Sequence, residues 1–324
     1  MIALPVRRAC CGLLALCSLA APARAAEWEW RASGGAQLDS SSHGVFDLGF
    51  RKGPYSIQLY TDTVELRWGP SDSKGRGWIA ARGQLLAAGL FISPWQDGAP
   101  DIGRSRNGYY GGADGGYVRY LGPIYAGGQI GERLYFLGAS RDQSTAAVGP
   151  ISLFTADLVL GHYRPDLHLW MRAGVDVQGT AISPHVQGEL TYRPTMLLAP
   201  RLEIRAGWAR DQTDIERTRL GGLNPYVVPL AGAAWAEWWV EDFAAMRLGL
   251  TLLTSHVEVG VVGDAAAFDG ATAVGVAALL RGKWRRWFAE ATVGYAPFIV
   301  RQEGISRLSA FVLVGTGWGR LGVW

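Results

Sequence analysis

The residue types of a serine hydrolase occur together at one place in the chain, in the segment TSHVE (254–258). Ser255, His256 and Glu258 would supply a nucleophile, a general base and an orienting carboxylate, the three roles of a catalytic triad. Neighbours within a β-strand point to opposite faces, so we expect Ser255 and His256 not to make the direct contact that this chemistry requires. No catalytic residue is assigned here, and lipid hydrolysis by a barrel enzyme stays an alternative function.

The other residues that bind metals or cofactors do not form a recognisable motif. None of the five histidines belongs to an H-E-x-x-H zinc pattern, and the chain contains no G-x-S-x-G elbow or phosphate loop. All three cysteines lie near the start of the chain, at Cys10, Cys11 and Cys17. We therefore expect no metal site and no cofactor.

Four charged residues are candidates for lining a water-filled lumen: Arg172, Glu203, Arg205 and Glu290. Each belongs to the polar half of a segment in which apolar and polar residues alternate. If the chain forms a closed barrel, opposite charges on the inner face pair across strands, and lumen residues tune transport. These four residues would then either select a solute or neutralise one another across the wall.

Residues 1–26 have the features of a cleaved secretory signal. Arg7 and Arg8 precede a short apolar core, and the segment ARA (23–25) fits the small-x-small pattern, which predicts cleavage after residue 25 or 26. Lipidation at Cys17 is the alternative, but the leucine before it is larger than the residue that normally precedes a lipidated cysteine.

Residues 27–324 are formally neutral and show no boundary of composition, so we expect them to form one domain. Of the 31 lysines and arginines, Arg7, Arg8 and Arg24 lie in the signal, which leaves 31 − 3 = 28 against 28 acidic residues. A nucleic-acid binder needs a basic excess or a basic stripe. We therefore expect no nucleic-acid partner.

Beyond the signal, hydrophobic periodicity indicates strands. The segment TVELRW (63–68) alternates strictly, and so do HVQGELTYRP (185–194), RLEIRAGWAR (201–210) and WFAEATVGYAPFIV (287–300). After residue 26 no apolar stretch approaches the ~18 residues that a spanning helix requires. The strands predicted on this basis cover 44–50, 54–61, 63–69, 77–91, 108–121, 123–137, 151–163, 165–178, 184–194, 197–210, 232–243, 245–254, 256–264, 271–282, 284–298 and 306–318.

Aromatic residues mark the ends of several apolar series, where the interfacial girdle of a membrane barrel places them. They are Trp68, Tyr192, Trp208, Trp287 and Tyr295. The fold class predicted is therefore all-β, a transmembrane antiparallel β-barrel of about 14–16 strands, although 12 are also compatible. A secreted β-sandwich or jelly roll is the alternative, because its strands alternate as well.

The segment RTRLGGLNPYVVPLAGAAWAEWW (217–239) resembles the long-loop region of Omp85-type barrels, the bacterial surface-antigen family. The family reads a leucine-glycine-glycine run, a loop tip, a strand with a glutamate, and later a hydrophobic segment with an aspartate. Here Leu220, Gly221 and Gly222 match the run, Glu237 the glutamate, and Asp264 in GVVGDAAAF (260–268) the later aspartate. AVGVAALLRG (273–282) is similar to the glycine-alternating strand that follows.

The resemblance implies a short barrel without periplasmic repeat domains, whose loop folds into the lumen and contacts a charged residue of the wall. Candidate loop residues are Leu220, Gly221, Gly222, Asn224 and Tyr226, with Glu237 and Asp264 as candidate wall partners. Asn224-Pro225-Tyr226 stands where the family carries an arginine-glycine pair. Alternatively, the two glycines serve a tight turn that needs positive φ.

The segment LSAFVLVGTGW (308–318) resembles the terminal strand that barrel-assembly machinery recognises, with Leu308 to Trp318, or the final Trp324, as the signal. We therefore expect a bacterial outer-membrane location, outer-membrane lipid and lipopolysaccharide as surroundings, and assembly machinery as a partner. The predicted function is transport, or the placement of protein or lipid, across the outer membrane. Besides a lipid hydrolase, the alternative is a structural or adhesive barrel whose lumen is filled by loops, with function on loops 93–108 and 210–231.

Overall fold

The computed structural model describes residues 29–38, 42–60, 63–72, 74–85, 108–137, 148–210, 218–223, 228–233, 238–299 and 307–317. The predicted signal, residues 93–107 of the predicted functional loop 93–108, and six residues singled out above lie outside these ranges: Asn224, Pro225, Tyr226, Glu237, Trp318 and Trp324.

The first eleven strands are β1 (Glu29–Leu38), β2 (Ser42–Lys52), β3 (Tyr55–Tyr60), β4 (Thr63–Trp68), β5 (Gly75–Leu85), β6 (Gly108–Leu121), β7 (Ile124–Leu137), β8 (Val148–Tyr163), β9 (Leu167–Gln178), β10 (Ala181–Tyr192) and β11 (Leu198–Ala209). They are followed by β12 (Thr218–Leu220), β13 (Trp238–Val240), β14 (Phe243–Leu253), β15 (Val257–Phe268), β16 (Ala271–Trp284), β17 (Trp287–Ile299) and β18 (Leu308–Gly317).

Sixteen of these strands close into one antiparallel barrel, in chain order, while β12 and β13 form a separate two-stranded sheet. The first and last strands close the ring, with a register that runs from Arg31 opposite Gly317 to Leu38 opposite Ala310. The prediction of an all-β barrel of about 14–16 strands is confirmed. Within the described residues, no helix is long and apolar enough to cross a membrane.

The two faces of the barrel wall differ sharply in chemistry. In β4, Val64 and Leu66 are 45% and 50% exposed, whereas Glu65 between them is 8% exposed. In β8, Leu158 is 74% exposed, and its neighbour Asp157 is 5% exposed. A continuous apolar outer surface is stable in lipid, and a closed barrel satisfies every backbone group there. The chain is therefore a transmembrane barrel of the outer-membrane type, and the sandwich alternative is wrong.

The two ends of the barrel carry connections of different length. The connections that follow β2, β4, β6, β8, β10, β14 and β16 have two to six residues, and Gly53 and Gly122 adopt φ of 56° and 65° in two of them; the other end also has two-residue turns, after β9 and β15. The longest connections, 86–107 and 210–242, join strands at the other end. In barrels of this type the short turns face the periplasm, so β1 begins at the periplasmic end.

The strand predictions failed in two places. The predicted strand 232–243 is not part of the wall, because residues 231–233 form a turn and Trp238–Val240 pairs with β12. Instead β1, which was not predicted, completes the ring. Its outward series includes Ala32, Gly34 and Ala36, which are too small to give a strong apolar alternation.

Candidate functional site

The connection between β11 and β14 enters the barrel instead of leaving it. We call its described residues, 218–223, 228–233 and 238–240, the lumen loop. Leu220, Leu230 and Ala231 are 0% exposed, and β12 and β13 pair as a short hairpin through Thr218–Leu220 and Trp238–Val240. The loop candidates Leu220, Gly221 and Gly222 are therefore buried within the barrel.

Three backbone amides of the lumen loop donate hydrogen bonds to side chains of the wall. Leu223 N–H donates to Gln37 Oε1 of β1 at 3.1 Å. Ala231 N–H donates to Asp264 Oδ2 of β15 at 2.7 Å, and Gly232 N–H donates to Ser309 Oγ of β18 at 2.9 Å. Two of the acceptors belong to the neighbouring strands β1 and β18 and the third to β15, three strands from β18, so the loop is held against one side of the lumen.

Glycines in the wall make room for this contact. A Cβ added to Gly275 of β16 would lie 2.2 Å from the carbonyl oxygen of Ala231, and one added to Gly294 of β17 would lie 2.9 Å from the Ala231 Cβ. Within the loop, Gly221 and Gly222 adopt φ of 119° and 92°. The two glycines thus allow the positive φ that the turn interpretation requires, and the turn lies inside the lumen.

Asp264, a predicted wall partner, is bound by an arginine of the wall itself. Arg247 of β14 stands directly opposite in the register and donates from Nε to Oδ1 at 2.6 Å and from Nη2 to Oδ2 at 2.8 Å. The loop tip lacks the arginine of the Omp85 pattern. Among the described residues, Arg247 of the neighbouring strand places a positive charge beside Asp264, and the loop contributes a main-chain amide.

Apolar side chains fill the space between the lumen loop and the strands around it. One cluster joins Leu220, Val228 and Leu230 of the loop to Phe243 and Phe268 of the wall. A second joins Leu223 and Ala231 to wall residues that include Val45, Phe311 and Leu313. This side of the lumen is packed with apolar side chains like a protein core.

Ion pairs line the wall from β4 to β11, which we call the polar side of the lumen and where Arg172, Glu203 and Arg205 lie, whereas the fourth candidate, Glu290, lies on β17, a strand that also contacts the lumen loop. Arg205 Nε lies 2.7 Å from Glu203 Oε1 and 3.4 Å from Glu189 Oε2. Glu290 accepts a hydrogen bond from Arg281 Nε at 3.0 Å. The four candidates do not form one cluster. Arg172 binds elsewhere and donates twice to Gln187 Oε1, at 3.2 and 2.9 Å.

Sequence reasoning missed a buried histidine bridge on this polar side. His185 Nε2 lies 2.7 Å from Asp157 Oδ1, and its Nδ1 lies 3.3 Å from Asp176 Oδ2. Asp157 also accepts from Gln129 Nε2 at 2.7 Å. The available signal was that His185, Asp157 and Asp176 each alternate with apolar neighbours, so that all three point inward.

The hydrolase residues do not assemble as a triad, although one contact was predicted wrongly. Ser255 and His256 lie in the turn between β14 and β15, where strand alternation does not apply, and Ser255 Oγ is 2.7 Å from His256 Nδ1. Both are exposed, whereas Glu258 is buried in the lumen and bound to Arg193 and Arg201. No carboxylate thus orients the histidine among these residues. In the described parts of the chain, no group of three or more His, Cys, Asp or Glu could hold a metal.

Solved structures with this fold include CdiB from Acinetobacter baumannii, with a TM-score of 0.65 at 11% identity over 90% of this chain and 60% of that chain. CdiB from Escherichia coli gives 0.63 at 12% identity, over 92% and 64% of the two chains. BamA from Haemophilus ducreyi lacking POTRA domains 1-3 gives 0.62 at 10% identity, over 91% and 71%.

The chain thus spans less than two thirds of either CdiB chain. No protein-family model matches the sequence, and neither does any curated protein. At these identities the likeness concerns the fold. The chain has the barrel fold of Omp85-type outer-membrane proteins, as the resemblance in residues 217–282 predicted.

Proposed function

We propose that the protein moves or places a protein or lipid client across the outer membrane, and that the lumen loop gates its passage. The observation that carries this proposal is the way in which the loop is seated. It occupies one side of the lumen, and its main chain is held by side chains of β1, β15 and β18. Each neutral hydrogen bond contributes about 1 kcal/mol, and burial of each loop leucine about 1.5–3 kcal/mol, so a client must supply binding energy to displace the loop.

The polar side of the lumen supports the same proposal. Its ion pairs keep charged side chains in place without closing the space with apolar packing, as at Arg205 and Glu203. A client that displaces the loop would therefore meet a wall of fixed, mutually compensated charges. Arg172, Glu203, Arg205 and Glu290 are the residues that we propose to contact it.

Single-channel recording in planar bilayers tests the gate. The variant carrying Gln37→Leu and Ser309→Ala removes two of the three seat contacts, about 2 kcal/mol in all, and we expect an increase in open probability of about thirtyfold. Ser183→Ala is the matched control, because Ser183 is a buried serine on β10, away from the strands that hold the loop.

Equal open probability in the seat variant and the control would contradict gating by the loop. A complete absence of conductance in all three proteins would instead favour the structural or adhesive barrel with a filled lumen. Neutralising Arg172 or Arg205 in the seat variant then measures the part of these charges in selectivity, as a shift of reversal potential in a salt gradient.

We also propose the partners and processing that the sequence predicts. Cleavage of residues 1–26 would leave the barrel domain 27–324, surrounded by outer-membrane lipid and lipopolysaccharide. Assembly machinery would recognise β18, whose Leu308, Val312 and Val314 face outward and are about half exposed. Mass spectrometry of the purified protein tests the cleavage site. Crosslinking from Val312 during assembly tests the contact with the machinery.

A further inference from the structure

A cavity of about 180 Å³ remains on the polar side of the lumen. Four arginines line it: Arg67, Arg82, Arg133 and Arg172. Among the described residues that line it, Asp114 is the one carboxylate. Its walls are strands β4 to β9, on the side of the barrel away from the lumen loop.

Three glycines lie on the inner face of the strands near this cavity. Gly112, Gly116 and Gly131 lie on the inward series of β6 and β7, on either side of Asp114 or directly opposite it. None of them fills the lumen with a side chain. Of the three, Gly131 lines the cavity, and the Trp78 ring occupies the space beside Gly116.

Two of the arginines are held only loosely by carboxylates. Arg67 Nη1 lies 3.9 Å from Glu65 Oε1, and its guanidinium carbon lies 5.5 Å from the centroid of the Trp78 ring. Its buried Nε has no hydrogen-bond partner among the described residues. Arg172 donates to the Gln187 amide, and its Nη1 lies 3.9 Å from Asp157 Oδ2.

The nearby carboxylates are engaged elsewhere. Glu65 accepts from Arg82 Nε at 2.6 Å. Asp114 accepts from Trp78 Nε1 at 3.1 Å and lies 3.5 Å from Arg82 Nη1. Asp157 is bound by His185 and by Gln129. Arg67 and Arg172 therefore line the cavity with carboxylate contacts of 3.9 Å, and the buried Nε of Arg67 is a donor without an acceptor among the described residues.

We propose that this cavity binds a phosphate-type oxyanion, either free phosphate or the phosphate group of a larger ligand. The fork of an arginine matches the oxygen spacing of such groups, and its hydrogen bonds to them are charge-assisted. A single water needs about 10–15 Å³ of such a cavity, so a phosphate fits together with several waters. The proposal rests on this cavity and not on gating by the lumen loop.

Isothermal titration calorimetry of the detergent-solubilised full chain with inorganic phosphate, at constant ionic strength in chloride, tests the site. We expect saturable binding at one site, weakened about tenfold or more for each arginine removed in Arg67→Gln and Arg172→Gln. Arg51→Gln is the control, because this arginine is exposed, is paired with the exposed Glu29 and does not line the cavity.

Heat-dependent gel mobility checks that each variant has folded. If the variant that combines Arg67→Gln with Arg172→Gln does not fold, Arg67→Gln alone carries the test. Loss of Arg67 leaves Glu65, the carboxylate near it, still bound to Arg82. Stronger binding of glycerol 3-phosphate than of phosphate would identify a larger phosphorylated ligand, and weaker binding would identify the free ion. Absence of saturable binding to the unmodified chain, or an equal loss in Arg51→Gln, would overturn the proposal, whatever the conductance shows.

Discussion

Removing Arg247 tests how the lumen loop is seated. Arg247 and Asp264 form a two-bond ion pair in which their side chains are 10% and 1% exposed. Asp264 uses the oxygen that receives Arg247 Nη2 to accept from Ala231 N–H as well. The variant Arg247→Met keeps much of the side-chain volume, but leaves the aspartate buried with a main-chain amide in place of its counter-charge.

Breaking a buried ion pair by removing one partner costs about 3–5 kcal/mol, mostly because the remaining charge is uncompensated. We expect this loss of unfolding free energy for Arg247→Met. Asp264→Asn added to that variant removes the charge and keeps an oxygen for Ala231 N–H. The double variant should therefore recover much of the loss, with an interaction energy of about 2–3 kcal/mol.

Urea unfolding in lipid vesicles, followed by tryptophan fluorescence, measures these energies. Arg51→Met is the control, because Arg51 and its partner Glu29 are 49% and 50% exposed and exposed pairs contribute only about 0–1 kcal/mol. If the losses of the two single variants simply add in the double variant, to within about 0.5 kcal/mol, the pair is not a unit and our account of the seat is refuted.

Three further substitutions test the loop, the membrane face and the histidine bridge. Gly275→Ala places a Cβ 2.2 Å from the carbonyl oxygen of Ala231 and should displace the lumen loop, so we expect a cysteine introduced by Ala231→Cys to react faster with maleimide. Gly263→Ala, whose Cβ would have nothing within 4 Å, should leave the labelling rate unchanged. Leu158→Arg, at an outward position 74% exposed, should cost up to about 2–4 kcal/mol in vesicles; no loss would place this face outside the hydrocarbon. His185→Leu leaves Asp157 and Asp176 without the imidazole ring between them and should lower the free energy of unfolding in urea by about 3 kcal/mol. An unchanged free energy of unfolding would contradict this prediction.

An alternation of period two was enough to predict the strands of the wall, because one face of every strand contacts lipid and the other faces the lumen. In β17, Trp287 and Val293 are exposed to lipid while Glu290 and Thr292 are buried inside, as the sequence indicates. Closure follows, because an open sheet edge is not stable in lipid. The number of strands follows less directly, since it depends on assigning each apolar segment to the wall.

The sequence indicated several residues at which the lumen loop meets the wall, but not which side chains are in contact there. Asp264 and the glycines at 221 and 222 were found from a resemblance, but Arg247 was not, although it also alternates with apolar neighbours. Its partner is fixed by the register between β14 and β15, in which the two residues stand opposite each other. A period of two tells which face a residue occupies, but it does not fix which residue stands opposite.

The wrongly predicted strand 232–243 and the apolar side of the lumen have the same physical cause. The segment 232–243 is apolar because parts of it, such as Ala233 and Val240, pack inside the barrel, yet periodicity cannot distinguish burial in a lumen from contact with lipid. The wall carries the matching signal. In β18, Phe311 and Leu313 face inward and are buried, while Val312 between them faces lipid. A barrel strand that is apolar on both faces indicates that something apolar occupies the lumen beside it. On the opposite side, where β8 alternates Asp157 with Leu158, the lumen holds ion pairs and a cavity.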